Sequence, residues 1–556
     1  MLDNDKSDEK IVEKLVAPTD ERSIVATSEG EGGFHEDISS ADALQFDHTH
    51  RNLKNRHVQL IGIGGAIGTV LFVQIGATLS KGGPGSLFIA FSLWCTVIIA
   101  ITNCISEMVT WIPISSPFIR FADRFVDPAL GFCAGVNFFL FQAMLVPFEI
   151  VAFNVVLKFW TDQIPTAAVI AFVLFMYAML NFFAVKYYGE SEFWLAIGKA
   201  ILIIGLIVFT FVTMCGGNPQ RDVYGFRNWN SSKVTGTPFA PYIYDGALGQ
   251  FVGFLACLIQ AAWTIAGPEY VSMAAGEAQT PRHTMPKAFN SVIYRLTFFF
   301  VFGTLSVGII LAYNDPDLLN AISNAHPGAG SSPYVIAMVH MRIPVLPHIV
   351  NALILTSIFS AGNSYAFCAS RALLGLSLEG KVPKVFSKCT KNGVPIYSVM
   401  VTLAIGLLAF LQLSNDAAVV LQWITSLVTA SEVINFAIIA FSYIQFYKGL
   451  KAQGISRDTL PYKARWQPYS AYYAFIATAT MTFLAGYTVF LPGHWSIPDF
   501  FFSYAMVGAL PLLFVYYKLR HRSQWQTPET MSFFEKERAQ VDRYERELKD
   551  NATTKS

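Results

Sequence analysis

Apolar runs of about 20 residues, the length a helix needs to cross a bilayer, recur twelve times along the chain. They lie near 59–80, 85–110, 129–157, 165–185, 191–215, 246–274, 288–313, 347–376, 396–413, 417–446, 470–491 and 498–518. Polar stretches bearing Gly and Pro, such as "GGNPQRDVYGFRNWN" and "SNAHPGAGSSP", separate them. The pattern predicts an all-α integral membrane protein with twelve transmembrane helices over residues 51–520. Residues 1–50 are polar and acid-rich, which predicts a disordered tail and no cleaved signal peptide. Residues 521–556 form a second tail. Its closing stretch "FFEKERAQVDRYERELKD" mixes both charge signs, and it reads as a solvated surface helix or a contact for cytoplasmic partners.

Two of these runs are interrupted. The first, "QLIGIGGAIGTVLFVQIGATLSKGG", is punctuated by Gly62, Gly64, Gly65, Gly68 and Gly76. Glycine permits close helix packing as readily as unwinding, so both readings stand for this run. The sixth carries "TIAGPEYVSMAAGE", residues 264–277. Pro268 has no N–H, Gly267 is a poor helix former, and Glu269 places a carboxylate at membrane depth. Three unfavourable choices together predict a deliberate break. Interrupted runs at matching places in two halves point to a midplane site, because unwound backbone is tolerated only where it lines a cavity or is buried in protein. Half-helix starts attract a carboxylate and freed carbonyls attract an ammonium, which together suit an amino acid zwitterion.

Lys and Arg set the expected orientation. Arg51, Lys54 and Arg56 precede the first run, and the alternate loops hold Arg120, Arg124, Lys186, Arg282, Lys287, Lys381, Lys384 and Lys448. Fewer basic residues occupy the opposite loops, so both termini are expected in the cytoplasm. In that frame Asn230-Ser231-Ser232 lies outside and can accept a glycan, whereas Asn551 lies inside and cannot.

Composition agrees with the pattern. Of 556 residues 53% are hydrophobic and only 14% charged, against about a quarter charged in soluble domains. The net charge of +1 says little about partners. Cys95, Cys104, Cys133, Cys215, Cys257 and Cys368 fall in or beside apolar runs and read as small core residues without a disulfide. The chain carries no HExxH, GxSxG or Cys/His cluster, which argues against a membrane enzyme. No cofactor, metal or nucleic-acid partner is implied.

A set of longer motifs then carries a resemblance. "RHVQLIGIGGAIGTVLF", "GGPGSL", "EMVTWIPIS", "RFVDPALGF", "GESEFWLAIGKAILIIGLI", "AAGEAQTPRHTMPKA", "SSPYVIA" and "NSYAFCASRALLGLSLEGKVPKVF" follow one another in order. Together they resemble the fungal amino acid permeases of the amino acid–polyamine–organocation superfamily, from about residue 50 to 520. The resemblance implies a five-plus-five inverted repeat with helices 1 and 6 broken, plasma-membrane residence and proton-coupled uptake of amino acids. By position it places a substrate-carboxylate site at Ala66, Ile67, Gly68 and Thr69, and an amino-group site at Thr264, Ile265 and Ala266 with Gly267 beside them. It also matches Lys199 to a coupling-cation position in the fifth segment, Glu149 to an acidic position in the third, and Glu269 to the acid after the sixth-segment turn. Lys6, Lys10 and Lys14 match tail lysines that accept ubiquitin in family members; a plain solvated tail is the other reading.

The chain departs from the family pattern at Gly68-Thr69-Val70, where Gly-Thr-Gly is usual, at Gln74-Ile75-Gly76, and at Ser115-Ser116-Pro117. Pro268 resembles the proline-permease branch, which favours proline or small neutral amino acids.

The ionisable residues each have two readings. Glu269 either hydrogen-bonds freed backbone or holds the turn and senses substrate or proton. Lys199 either snorkels or, desolvated, gains and loses a proton during the cycle. Glu149 is structural or a relay. Glu107 is expected to be interfacial, and Arg371 and Glu432 form a packed pair or stand apart. Trp263 or Phe254 gates the site or simply packs. The expectation is a proton-driven importer of neutral amino acids, with a transporter-fold amino acid sensor as the alternative.

Overall fold

The structure is a computed structural model. It describes residues 58–59, 68–114, 116–161, 163–183, 185–231, 236–324, 332–390, 394–414, 417–533 and 535–554. Ala66, Ile67, Ser115, Ser232, Lys6, Lys10 and Lys14 lie outside them. In chain order the principal helices are α1 (Ile75–Trp111), α2 (Pro117–Phe125), α3 (Pro128–Leu157), α4 (Thr166–Phe183), α5 (Val185–Met214) and α6 (Gly246–Thr264). Next come α7 (Pro268–Met273), α8 (Pro281–Arg295), α9 (Phe302–Ile310), α10 (Pro316–Asn324), α11 (Pro333–His340) and α12 (Leu346–Leu378). The last are α13 (Ile396–Gly406), α14 (Ala417–Ala452), α15 (Tyr469–Leu484), α16 (Ile497–His521) and α17 (Glu535–Thr554). Among the described residues there is no strand, and one isolated bridge joins Cys389 and Pro395.

Ten helices among the described residues are long and apolar enough to cross a membrane, where the hydropathy pattern predicts twelve. Two differences account for this. The first two runs are continuous in the stretch Val70–Trp111, which deviates only at Gly83 (φ 76°, ψ 172°), just before Pro84. That backbone region is open to glycine, and a Cβ on Gly83 would stand 2.8 Å from Ala240 N. The freed backbone groups are met by the loop before α6: Ala240 N–H donates to Gly82 O (2.9 Å) and Gly85 N–H to Pro238 O (2.7 Å). The eleventh run is the 16-residue α15 followed by a short turn, Tyr487–Phe490.

Proline opens many of these helices, where its missing N–H is harmless, and Asp127 caps α3 by accepting from Ala129 N–H at 2.8 Å. Helices α3 and α14 lie at the centre, and α3 packs along α12. The flanks of α4, α5 and α16 expose large apolar side chains such as Phe172, Phe183, Trp194 and Leu512, as lipid-facing surfaces do. Cys95, Cys104, Cys133 and Cys257 are buried as expected, whereas Cys215 is exposed and Cys368 half-buried. Asn230 is exposed.

The chain after α16 is more than a solvated tail. Met531 and Phe533 are buried, and the Phe533 ring lies 5.3 Å from Trp111 and 5.9 Å from both Phe125 and Phe446. Gln526 N–H donates to Val126 O (2.8 Å), and Gln453 Nε2 to Met531 O (2.8 Å). Arg282 of α8 pairs with Asp542 and Glu545 of α17. Aromatic contact and charge pairing thus strap this segment across the ends of α1, α2 and α14. A mixed-charge composition does not reveal two apolar anchors outside its helix.

Candidate functional site

The sixth apolar run breaks where its sequence predicts. Helix α6 ends at Thr264, Ile265 is non-helical (φ −93°, ψ 85°), and α7 starts at Pro268. Gly267 stands between them at φ 149°, ψ −44°, a conformation that a side chain disfavours. The ladder resumes with Val271 N–H donating to Gly267 O at 3.1 Å. Glu269 folds back over the break, and its Oε1 accepts the Gly267 N–H at 3.0 Å. The segment is no continuous rod, and Glu269 holds its turn. Thr264 closes the end of α6 by donating to Gln260 O at 2.6 Å.

Segment 1 enters the described region at Gly68, followed by a wide π-type turn, Val70–Gln74, of a kind frequent at functional sites. Gly68 lies where three segments converge. A Cβ there would sit 3.4 Å from Glu149 Oε1, 3.5 Å from Ala361 Cβ and 3.7 Å from the Tyr365 hydroxyl. The Thr69 hydroxyl donates to Glu149 Oε2. Glu149 of α3 therefore touches the expected carboxylate site directly. Tyr365 of α12 links the two interrupted segments, with its ring 6.3 Å from that of Tyr270 in α7. Gln142 of α3 steadies Tyr270 by donating to its hydroxyl at 2.9 Å.

Lys199 is buried on α5, with Nζ 3.9 Å from Glu192 Oε1. Glu192 in turn accepts from Ser360 Oγ at 3.1 and 3.0 Å. Snorkelling is excluded by this burial. The partner is two helical turns away in sequence, beyond the single turn over which a neighbour is ordinarily sought. Glu149 also lies within the electrostatic reach of Lys199, so the fifth and third segments share one charged cluster.

Above the break opens a cavity of about 490 Å³, lined among others by Gln74, Thr78, Gln260, Trp263, Thr425 and Thr429. Trp263 is nearly buried at its edge and meets the Phe148 ring edge-on at 5.6 Å. Phe254 packs against the core instead. Gln260 Nε2 and Thr425 Oγ1 are buried polar atoms without a hydrogen-bond partner.

Two further acids are positioned by neighbours distant in sequence. Glu432 of α14 is buried against Glu269, not beside Arg371. The Arg371 guanidinium lies 3.6 Å from the Phe367 ring and bonds Ser370 Oγ at 2.9 Å. Glu107, near the end of α1, is fully buried, accepting from the Tyr443 hydroxyl and from Arg457 at 2.9 Å.

At the opposite end from the cavity, charged groups clasp the helices together. Burial pushes the Asp127 carboxyl up, but Lys518 (2.7 Å), Ser523 (2.7 Å) and the Ala129 N–H outweigh it and hold it below the usual range. Burial depresses Lys381, yet Glu379 at 2.8 Å and Asp123 more than compensate and hold it above the usual range.

A helical bundle with a span interrupted at depth, under a polar vestibule and beside buried acids, defines a multi-span membrane transporter. The chain belongs to the amino acid permease family, whose profile matches residues 57–527. It is 46% identical over 525 residues to the general amino acid permease AGP2 of Saccharomyces cerevisiae, covering 93% of this chain and 87% of that one. It is 43% identical to the probable proline-specific permease put4 of Schizosaccharomyces pombe, covering 83% of each. A proline-specific permease of Emericella nidulans is 38% identical over 86% of each chain. These relatives are permeases and not enzymes.

Proposed function

We propose that this protein takes up neutral amino acids, proline or small aliphatic ones, across the plasma membrane together with protons, by alternating access. The observation that carries the reading is the break at Ile265–Gly267, held by Glu269 and joined through Tyr270 and Tyr365 to Gly68, beneath the vestibule. The substrate carboxylate meets the turn at Gly68 and Thr69, with Ala66 and Ile67 preceding it. Its ammonium meets the carbonyls of Thr264, Ile265 and Ala266 beside Gly267. Lys199, Glu149 and Glu269 serve coupling, and Trp263 serves as a gate.

The same reading takes twelve crossings in a five-plus-five inverted repeat. Val70–Trp111 is 42 residues, about 60 Å as helix, which is long enough to cross a hydrocarbon core of about 30 Å twice around Gly83. The shorter α15 supplies another crossing. Both termini then lie in the cytoplasm and the vestibule opens outward, with Lys6, Lys10 and Lys14 available to ubiquitin ligases. Relatives named for proline, together with Pro268, favour a neutral cargo. The relatives are named for transport, which favours a carrier over a sensor.

Labelled proline uptake in cells stripped of their own amino acid permeases tests the proposal, with unlabelled amino acids as competitors. Uptake above a vector control, with medium alkalinisation on substrate addition, is the expected result. Surface-expressed protein that moves none of the competitor panel overturns it.

A further inference from the structure

Both walls of the vestibule lead to an acid. On α6 the lining face passes through Ala256, Gln260 and Trp263, and beyond the break stands Glu269. On α14 it passes through Leu421, Thr425 and Thr429, and one turn further on the same side stands Glu432. The two carboxyls meet there. Glu269 and Glu432 lie within hydrogen-bonding reach of each other, and both are fully buried. Glu269 Oε1 is used by the Gly267 N–H, Glu269 Oε2 has no donor, and Glu432 is met by the side-chain amide of Asn435, whose Oδ1 is taken by Asn137.

The surroundings offer these oxygens little else. Glu432 is acted on by Glu269 and by Asn435 of its own helix. Tyr270 on α7 and Tyr365 on α12 share the field of both acids and of Cys368, and Tyr365 also feels Glu149 of α3. Lys199 acts on Glu192 and Glu149. A carboxyl oxygen can bond another only with a proton between them, and two buried carboxylates without one combine desolvation with repulsion. One shared proton satisfies Glu269 Oε2 and a Glu432 oxygen together.

We propose that Glu269 and Glu432 form a dyad that holds a single proton at the floor of the vestibule, and that Glu432 is thereby a coupling residue of the transport cycle. The dyad takes one proton from water on the vestibule side as an O–H bond forms on one carboxylate, and gives that proton to water on the opposite side of the membrane when the bond breaks. Because Glu269 also secures the Gly267 N–H, occupancy of the dyad bears on the broken turn. Parting of α14 from α7 separates the acids and releases the proton. This inference rests on the proton-coupled reading above and deepens it with a residue outside the segment 1 and segment 6 turns.

The test uses full-length protein in proteoliposomes. Wild type is expected to accumulate labelled substrate under an imposed pH gradient and to exchange it without one. Glu432→Gln keeps an amide donor where the shared proton lies. It is expected to retain exchange while losing both gradient-driven accumulation and the pH dependence of uptake. Exchange with accumulation and pH profile unchanged overturns the dyad, as does parallel loss of exchange and accumulation in correctly inserted protein. Should Glu432→Gln not insert, Glu432→Asp retracts the acid by one methylene, and a shifted pH midpoint of uptake is expected. An unshifted midpoint overturns the inference. Wild type that transports substrate without responding to a pH gradient sinks the proton-coupled reading itself, a result distinct from wild-type coupling that survives in Glu432→Gln.

Discussion

Two buried acidic sites in this molecule face opposite circumstances. At the end of α1, Glu107 is met by the Tyr443 hydroxyl and the Arg457 guanidinium. At the broken span, Glu269 is met on one oxygen by a backbone N–H, its other oxygen has no donor, and the carboxyl of Glu432 lies beside it. Both are wholly buried, so burial alone does not mark a working acid. The difference is completeness. Glu107 ties α1 to α14 and the loop after it, and each of its oxygens accepts a hydrogen bond. The Glu269 site keeps an acceptor, Oε2, without a donor, and sets a second carboxyl beside it, an arrangement that suits a group able to take up a proton.

The largest expected effect probes the filled site. Arg457→Met leaves Glu107 buried without its countercharge, which costs about 3–5 kcal/mol. Thermal unfolding in detergent and surface abundance should both fall sharply, while the pH profile of any residual uptake stays put. Unchanged unfolding would place Glu107 beside the working acids. Next comes Gly267→Ala, which forces a side chain into a positive φ and costs about 1–3 kcal/mol. Melting should drop by that amount, and substrate affinity should weaken with it. Glu269→Gln alters the other side of the comparison. Loss of a charge-assisted hydrogen bond at about 1.4 kcal/mol or more corresponds to at least about tenfold lower radiolabelled uptake. Surface abundance should hold; normal uptake would remove Glu269 from the mechanism.

The smallest effect concerns Asp127, whose carboxyl sits below its ordinary range in the folded protein. Its contribution is complete above the unfolded aspartate value, about 3.9, and is lost as pH falls through the folded value. At neutral pH, Asp127→Asn should cost about 0.2–1 kcal/mol for the charge pair with Lys518, which is partly exposed. Acid unfolding curves of wild type and variant should converge beneath that window.

Hydropathy made most of the bundle legible, because the run lengths follow directly from bilayer thickness. Gly267-Pro268-Glu269 made the break legible, since each residue is locally unfavourable in a helix. What stayed hidden depends on neighbours far away in sequence. Glu192 lies two turns from Lys199, Tyr365 lies within an apolar motif, and Glu432 meets Glu269 only through the packing of α14 against the sixth segment. None of these pairings leaves a periodic trace. The Gly83 kink escaped for another reason: "KGGP" reads as a loop, whereas helix runs up to a single non-helical residue from either side.

The Phe533 anchor carries a practical corollary for handling this protein. Trimming the chain just after the last span, as is common when preparing membrane proteins for crystals, would strip the lid from the Trp111, Phe125 and Phe446 rings and expose a sticky aromatic patch to water. A purification tag is better hung beyond Thr554, where it leaves that seal untouched.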